Sequence, residues 1–362
     1  MLSRSIGIVK SIDRVREGAC EISVDVDGNL RRAIAYSDIV SPINTGDKVL
    51  LNTTAVGKRL GTGGVDFVIA NLTNPAGDTK DSEIGHIVKA RYTPVQHTVL
   101  SVEEEDSPHR SSIDAFQSLN GMPVVIGQLH SQLAPACAAI KKLMHGQVRI
   151  AYIMTDTAAL PISFSRLVSE LRSKELIDAT ITTGQAFGGE YEAVNLYTAL
   201  IAAREVAQAD AVICCPGPGH VGTGTQYGFT AIEQGEIVDR VNKLGGLPIA
   251  IARISYADTR PRHQGLSHHT LTALGFAALT QCTLVLPVID QMKLTMLQEQ
   301  IAHSAVVYKH KVRILDGKPG IVELQEKGVQ MSSMGRNYEQ DPEFFLSAAA
   351  AGALAAEIIV SH

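Results

Sequence analysis

The feature that most constrains this chain is a series of six apolar runs between residues 122 and 288. They are PVVIGQL (123–129), VRIAYIM (148–154), ATITT (179–183), AVICC (211–215), PIAIARIS (248–255) and TLVLPV (283–288). Runs this continuous do not suit strands with one wet face; they suit parallel strands covered on both sides. Helical patterning fills the intervals, around residues 134–144, 165–177, 193–209, 229–244 and 270–280. Right-handed β-α-β units then give an α/β fold: a mainly parallel, doubly wound, three-layer, Rossmann-like domain over residues 111–362. Near its end, HKVRILDG (310–317) and IVELQEKG (321–328) read as a hairpin turning at Asp316-Gly317 or at residues 318–320, an antiparallel edge.

Residues 1–110 are patterned differently. IGIVKSID, CEISVDVDG, RRAIAYSDIV, DKVLLNTT and DFVIANL are short strand-like runs. Turn formers separate them: Asp27-Gly28, Asn44-Thr45-Gly46-Asp47 and Gly61-Thr62-Gly63-Gly64. This predicts a small all-β barrel-like domain, OB- or SH3-like, in front of the α/β domain. The acidic stretch at residues 103–106 reads as the joint.

Charge and cysteine content narrow the setting. With 37 acidic and 32 basic side chains the chain is mildly acidic, which argues against a general nucleic-acid surface. Arg31, Arg32, Lys58 and Arg59 give the barrel some basic character, but Tyr36 and Phe67 are the only nearby aromatics for stacking RNA bases. Five cysteines without metal-type spacing suit reduced thiols and a cytoplasmic protein. The N-terminus alternates like a strand and carries no apolar signal-peptide core. The apolar run at residues 344–360 is short for a membrane span and contains Glu357, so no membrane partner is expected. Asp341, Pro342 and Glu343 before it read as an N-cap, a first-turn proline and an acid at the positive helix end. Its small residues around Gly352 allow close backbone approach, within the domain or across a homodimer seam.

In doubly wound sheets, ligands bind outside the carboxyl ends of the strands. The residues that follow the apolar runs are His130; Asp156 between Thr155 and Thr157; Gly184, Gln185 and the Gly188-Gly189-Glu190 turn; PGPGHVGTGT (216–225); and DTRPRHQGLSHHT (258–270). Polar, glycine-rich and histidine-rich segments thus collect on one edge. The loop holding Gly217, Gly219, Gly222, Thr223, Gly224 and Thr225 fits G-x-G-x-x-G and suits an anion cradle or a structural turn. It lacks the downstream acid of a dinucleotide site and a Walker lysine. Arg260 and Arg262 could fork onto phosphate or carboxylate, as could Arg253. His130 and His268 are candidate ligand contacts, and His220, His263 and Asp156 candidate proton-transfer groups. Neighbouring histidines usually diverge, so His268 and His269 are not expected to share a metal, and no metal ligand is assigned. Cys214 and Cys215 suit a nucleophile near His220 or His130, but the strand end favours packing. The cofactor and reaction type stay open.

Four segments carry a further signal: residues 46–71, 85–109, 216–236 and 253–270. Together they resemble a bacterial family, mainly from Gram-positive organisms, known as a domain of unknown function. The resemblance covers nearly the whole chain and implies a bacterial cytoplasmic setting. The expectation is therefore a small anionic ligand at the strand edge, with or without catalysis. The rival is a non-enzymatic oligomeric assembly or regulatory protein whose barrel binds a partner or RNA.

Overall fold

The computed structural model describes residues 2–60, 63–76 and 85–361, so Gly61 and Thr62 of the third predicted turn lie outside the described residues. The chain forms two compact units. One holds Met1–Leu100 with Pro161–Ser169, the other Ser101–Leu160 with Glu170–His362. The division falls ten residues before the boundary read from the sequence, and the second unit takes Ser101 and Val102 for a simple reason. Ser101 bridges to Glu192, and the Val102 amide donates to the Glu192 carbonyl at 2.9 Å.

The first unit is a closed barrel. Its strands are β1 (Arg4–Arg16), β2 (Ala19–Val26), β3 (Asn29–Tyr36), β4 (Lys48–Asn52) and β5 (Asp66–Asn71), in the order β1-β2-β3-β5-β4 with β4 back on β1. The β3–β5 pair alone is parallel. Period-two patterning sets the inside: Val9, Ile22, Val24, Val49, Leu51 and Val68 fill the barrel. Asp27 and Gly28, with φ of 52° and 80°, make the tight β2–β3 turn. Two irregularities bend the long β1, between Val9 and Ser11 and between Ile12 and Arg14. A short helix α1 (Thr54–Gly57) and a small antiparallel pair, β6 (Ile87–Lys89) and β7 (His97–Val99), complete the unit.

In the second unit, after the short helix α2 (Arg110–Asp114), the six apolar runs form strands β8 (Pro123–Ile126), β9 (Ile150–Thr155), β10 (Ala179–Thr183), β12 (Ala211–Pro216), β13 (Leu247–Ile251) and β16 (Thr283–Pro287). With β11 (Tyr191–Ala193) and β17 (Lys311–Leu315) they make one eight-stranded sheet, ordered β11-β10-β9-β12-β8-β13-β16-β17. Every pairing in it is parallel. Alternate strand residues serve different cores. Val124, Ile126, Ala151, Ile153, Val212 and Cys214 join the cluster built with α5 (Leu196–Glu205) and α6 (Glu233–Lys243). The helices α3 (Leu133–Leu143), α10 (Lys318–Glu326) and α11 (Pro342–Ser361) pack on one another, α11 also on β8, β13 and β16.

Two expectations change here. The hairpin expected at the end does not form: residues 311–315 are a parallel edge strand and residues 318–326 are helix α10. Gly317 is at φ −90°, not in the left-handed region of a tight hairpin turn, and its missing side chain makes room for the Leu346 carbonyl. Asp341 does not turn its carboxylate onto the start of α11; it accepts from Ser255 Oγ at 2.8 Å and Arg336 Nε at 2.9 Å. Helix α11 has the length and hydropathy of a membrane span, yet 72% of its apolar window is buried inside the protein. Its small-residue face meets α3, where a Cβ on Gly352 would collide with the Ala136 carbonyl. That face is covered by the same chain and is not a free dimer seam.

Candidate functional site

Strand order reverses around β12 and β8, since the chain goes from β8 to β9 on one side and from β12 to β13 on the other. Three loops leave the strand ends there, and glutamines lock two of them together. Gln234 Nε2 donates to the Ile126 carbonyl at 2.9 Å and the Ile251 carbonyl at 3.0 Å, the last residues of β8 and β13. Gln234 Oε1 accepts from Gln128 Nε2 at 2.8 Å, and Gln128 Oε1 accepts from Thr270 Oγ1 at 3.5 Å. All three residues are fully buried, and the chain of bonds fixes helix α7 (His268–Thr272) over the strand ends.

The excursion after β13 leaves as β14 (Ile254–Ser255), turns through Pro261–His263 and returns as β15 (Gly265–Leu266), which pairs with β14. Ser267 then caps α7, accepting from the His269 amide at 3.2 Å. The same hydroxyl lies 2.7 Å from His263 Nδ1. This local geometry overturns the expectation that His268 and His269 diverge. Their rings lie 4.3 Å apart, with His263 at 5.1 Å and 4.9 Å from them and His220 at 5.4 Å from His269. Phe229 stacks flat on His269 at 3.9 Å.

Arg253 sits beneath this group, 3% exposed. Its Nη1 donates to His269 Nδ1 at 2.9 Å, and its Nη2 approaches Met334 Sδ at 3.3 Å. Met334 is held there at φ 51° in the turn between two short strands, Ser332–Ser333 and Arg336–Asn337. Among the described residues no carboxylate pairs with Arg253, and burial pushes its pKa down to about 10, with Arg260, Arg336 and Arg262 adding to the effect. Four guanidiniums gather here against two carboxylates, Asp258 and Asp341. The histidines respond. Burial first, and Arg253 next, bring His220 down to about 4 and His263 to about 3. His269 is lowered for the same reasons, and His268 by burial, Arg262 and Arg253. The cluster near neutral pH is therefore a set of neutral imidazoles around a cation that no carboxylate contacts, with Asp258 offsetting part of its charge.

A guanidinium only donates, so His269 accepts with Nδ1 and carries its proton on Nε2. That nitrogen is then a fixed donor. The nearest ligand atoms of His263, His268 and His269 lie within 4.8 Å of one another, a spacing a metal could use. The protonated Nε2 and the adjacent guanidinium oppose a cation, so the donor set suits an anion better. His220 and His268 each keep a buried Nε2 without a hydrogen-bond partner, and so does Arg336 with one Nη2. Such groups cost about 1–3 kcal/mol each when left unmet.

The other sequence-derived candidates fall in different places. Arg260 is committed to Asp258, with Nε–Oδ1 at 2.9 Å and Nη2–Oδ2 at 2.6 Å, which holds the Asp258 carboxyl well below its ordinary range. Arg262 is exposed and lies beside Gly224. The glycine loop folds on itself. Gly217 and Gly219 pack against Met154 and Ala158, and the Thr223 and Thr225 hydroxyls bond each other at 2.9 Å. Gly222 bridges to Phe229 and faces His269. The loop does not open onto a bare helix end, because Glu233 fills the first turn of α6. His220 Nδ1 lies 3.1 Å from Thr230 Oγ1. His130 borders β9 with Nδ1 3.2 Å from Tyr152 Oη, and burial lowers its pKa to about 4. Asp156 is exposed and accepts from the Gln185 amide at 3.0 Å. Cys214 and Cys215 are fully buried with thiols pushed far up by desolvation, so neither offers a thiolate.

Sequence reading passed over Glu233, whose pKa rises to about 7 through burial and the charge of Asp156, against a 2.7 Å bond from Thr155 Oγ1. An acid opening the helix after a glycine loop was the available signal.

A β-barrel followed by a doubly wound sheet makes this a two-unit α/β protein, with an arginine–histidine cluster at the strand-order reversal. The chain belongs to the family described as "Protein of unknown function (DUF3866)", whose family model matches residues 32–352. No curated protein matches it.

Proposed function

We propose that the α/β unit binds a small anion, a phosphate or carboxylate, between Arg253, Arg262 and the imidazoles of His220, His268 and His269. One observation carries the reading: Arg253 is buried, charged near neutral pH and bonded through its side chain only to neutral acceptors. Removing a charge from water costs several kcal/mol, and proteins keep such charges where something neutralises them. An anion would take up the unmet nitrogens of His220 and His268 as well. His263 stands beside His268 and His269, bonded to Ser267, as the candidate proton-transfer group. A bacterial cytoplasmic setting fits the five free cysteines.

The test is a thermal-shift titration of the full chain with inorganic phosphate. Binding to the folded state raises the melting temperature. Phosphate should raise it saturably, and Arg253→Met should abolish the rise while the protein stays folded. An equal rise in Arg253→Met would sink the reading, and a saturable rise with Zn2+ but none with phosphate would give the histidines to a metal.

A further inference from the structure

Resting on that reading, we infer that the anion belongs to a larger molecule carrying a planar ring, which stacks on Tyr227 and Phe276. The glycine loop and the helical run starting with α7 meet in two aromatic pairs. The inner pair is Phe229 on His269, both buried. The outer pair is Tyr227 on Phe276, with centroids 4.8 Å apart and planes at 44°. Tyr227 precedes Phe229 by two residues, and Phe276 follows His269 by seven, inside the wide turn Ala273–Ala277.

Exposure separates the pairs. Tyr227 is 51% exposed and Phe276 61%, with Leu279 at 82% beyond them. Single exposed apolar residues are ordinary, but two exposed aromatics in contact, joined through the chain to the buried Phe229–His269 pair, offer a paired ring surface. An edge-tilted pair leaves ring faces available, and stacking accepts any flat π system. Apart from the Tyr227 hydroxyl, the pair itself carries no polar group that would read one particular ring. The ligand class is therefore an anion-bearing planar compound, such as a nucleoside 5′-monophosphate or an aryl phosphate.

Isothermal titration of the full chain with inorganic phosphate, ribose 5-phosphate, adenosine 5′-monophosphate and 4-nitrophenyl phosphate tests this. One or both ring-bearing phosphates should bind at least about tenfold tighter than ribose 5-phosphate, the scale of one stacking contact. The pattern between the two distinguishes nucleotide from aryl ester. Phe276→Ala and Tyr227→Ala should each remove most of that gain and leave inorganic phosphate affinity unchanged. Equal affinities in the parent, or a gain that survives both substitutions, would overturn the ring site while leaving the anion site standing. A dimer in light scattering that Phe276→Ala dissolves, with no ring preference, would assign the platform to a second copy and overturn it too. Absence of any phosphate binding in the parent would remove the anion site itself.

Discussion

The barrel and the strand-end cluster handle buried arginine in opposite ways. In the barrel, Arg31 forks onto Asp66 with bonds of 2.6 Å and 3.0 Å, and Asp66 is 1% exposed. Glu21 likewise receives both Arg16 and Arg166 within the same unit. Both pairs join opposite charges and are part of the structure, while the buried Asp47 is held by neutral donors, the Asn44 amide and the Asn71 side chain. At the strand ends, Asp258 and Asp341 serve Arg260 and Arg336, and Arg253 has neutral partners only. The difference teaches that burial of charge by itself does not mark a site. What sets the strand ends apart is a buried cation without a carboxylate contact together with unmet nitrogens on His220 and His268 nearby.

The largest expected effect lies in the barrel. Glu21→Ala leaves Arg16, whose side chain is only 5% exposed, without its carboxylate. Breaking a buried pair from one side costs about 3–5 kcal/mol, and urea denaturation of the full chain should read a loss of that order. A loss below about 1 kcal/mol would mean that the barrel pairs are solvated and the contrast with the cluster is false.

Asp258→Asn tests the cluster from the other side. It frees Arg260 and removes half of the local negative charge. Stability without anions should fall by about 1–3 kcal/mol, while phosphate affinity rises several-fold. A fall in affinity would show that Asp258 shapes the pocket more than its charge opposes the ligand. Arg253→Met should move stability by no more than about 1 kcal/mol in either direction, since it deletes a buried charge that no carboxylate contacts and keeps an apolar stem. If it costs as much as Glu21→Ala, Arg253 is a structural cation like Arg16.

How much of this was legible before the structure depends on the range of the interactions involved. The barrel and the six central strands follow from alternation and apolar continuity, which are local. The strand-end rule then groups loops that the sheet does bring to one edge, without knowledge of strand order. What escaped is non-local. Asp316-Gly317 carries a hairpin signal, but α11 packs against Gly317, and the segment continues into a parallel edge and a helix. Helix α8 (Gln291–Ala302) has a weak apolar face, with Leu297 and Ile301 as its buried residues, and leaves little periodic trace. Arg253 and Arg260 look alike in sequence; only the position of Asp258 distinguishes the paired cation from the bare one. The convergence of His263, His268 and His269 depends on the Pro261–His263 turn and the Ser267 cap acting together.

The smallest effect is a pH dependence, and its sign separates an anion that touches the imidazoles from one held by guanidinium alone. The folded-state pKa values of His220, about 4, and His263, about 3, lie below the ordinary value of about 6.5. Folding therefore favours the neutral forms. The associated stability is complete above pH about 6.5 and is lost as the pH falls toward the folded values. A bound anion beside the rings opposes the burial and arginine effects and raises those pKa values. A ligand that raises a pKa binds more tightly as the pH falls through the window between its bound and free values. Sulfate is the suitable probe, because its own charge stays constant across that window. The sulfate-dependent rise in melting temperature should grow from pH 8 to pH 5 in the parent. It should be flat in Arg253→Met, which also subtracts the general stabilisation that sulfate gives by exclusion from the surface. His268→Asn should reduce the slope and keep most of the rise at pH 8, where guanidinium contacts dominate. A parent profile as flat as that of Arg253→Met would detach the histidines from the anion and leave Arg253 and Arg262 as its holders.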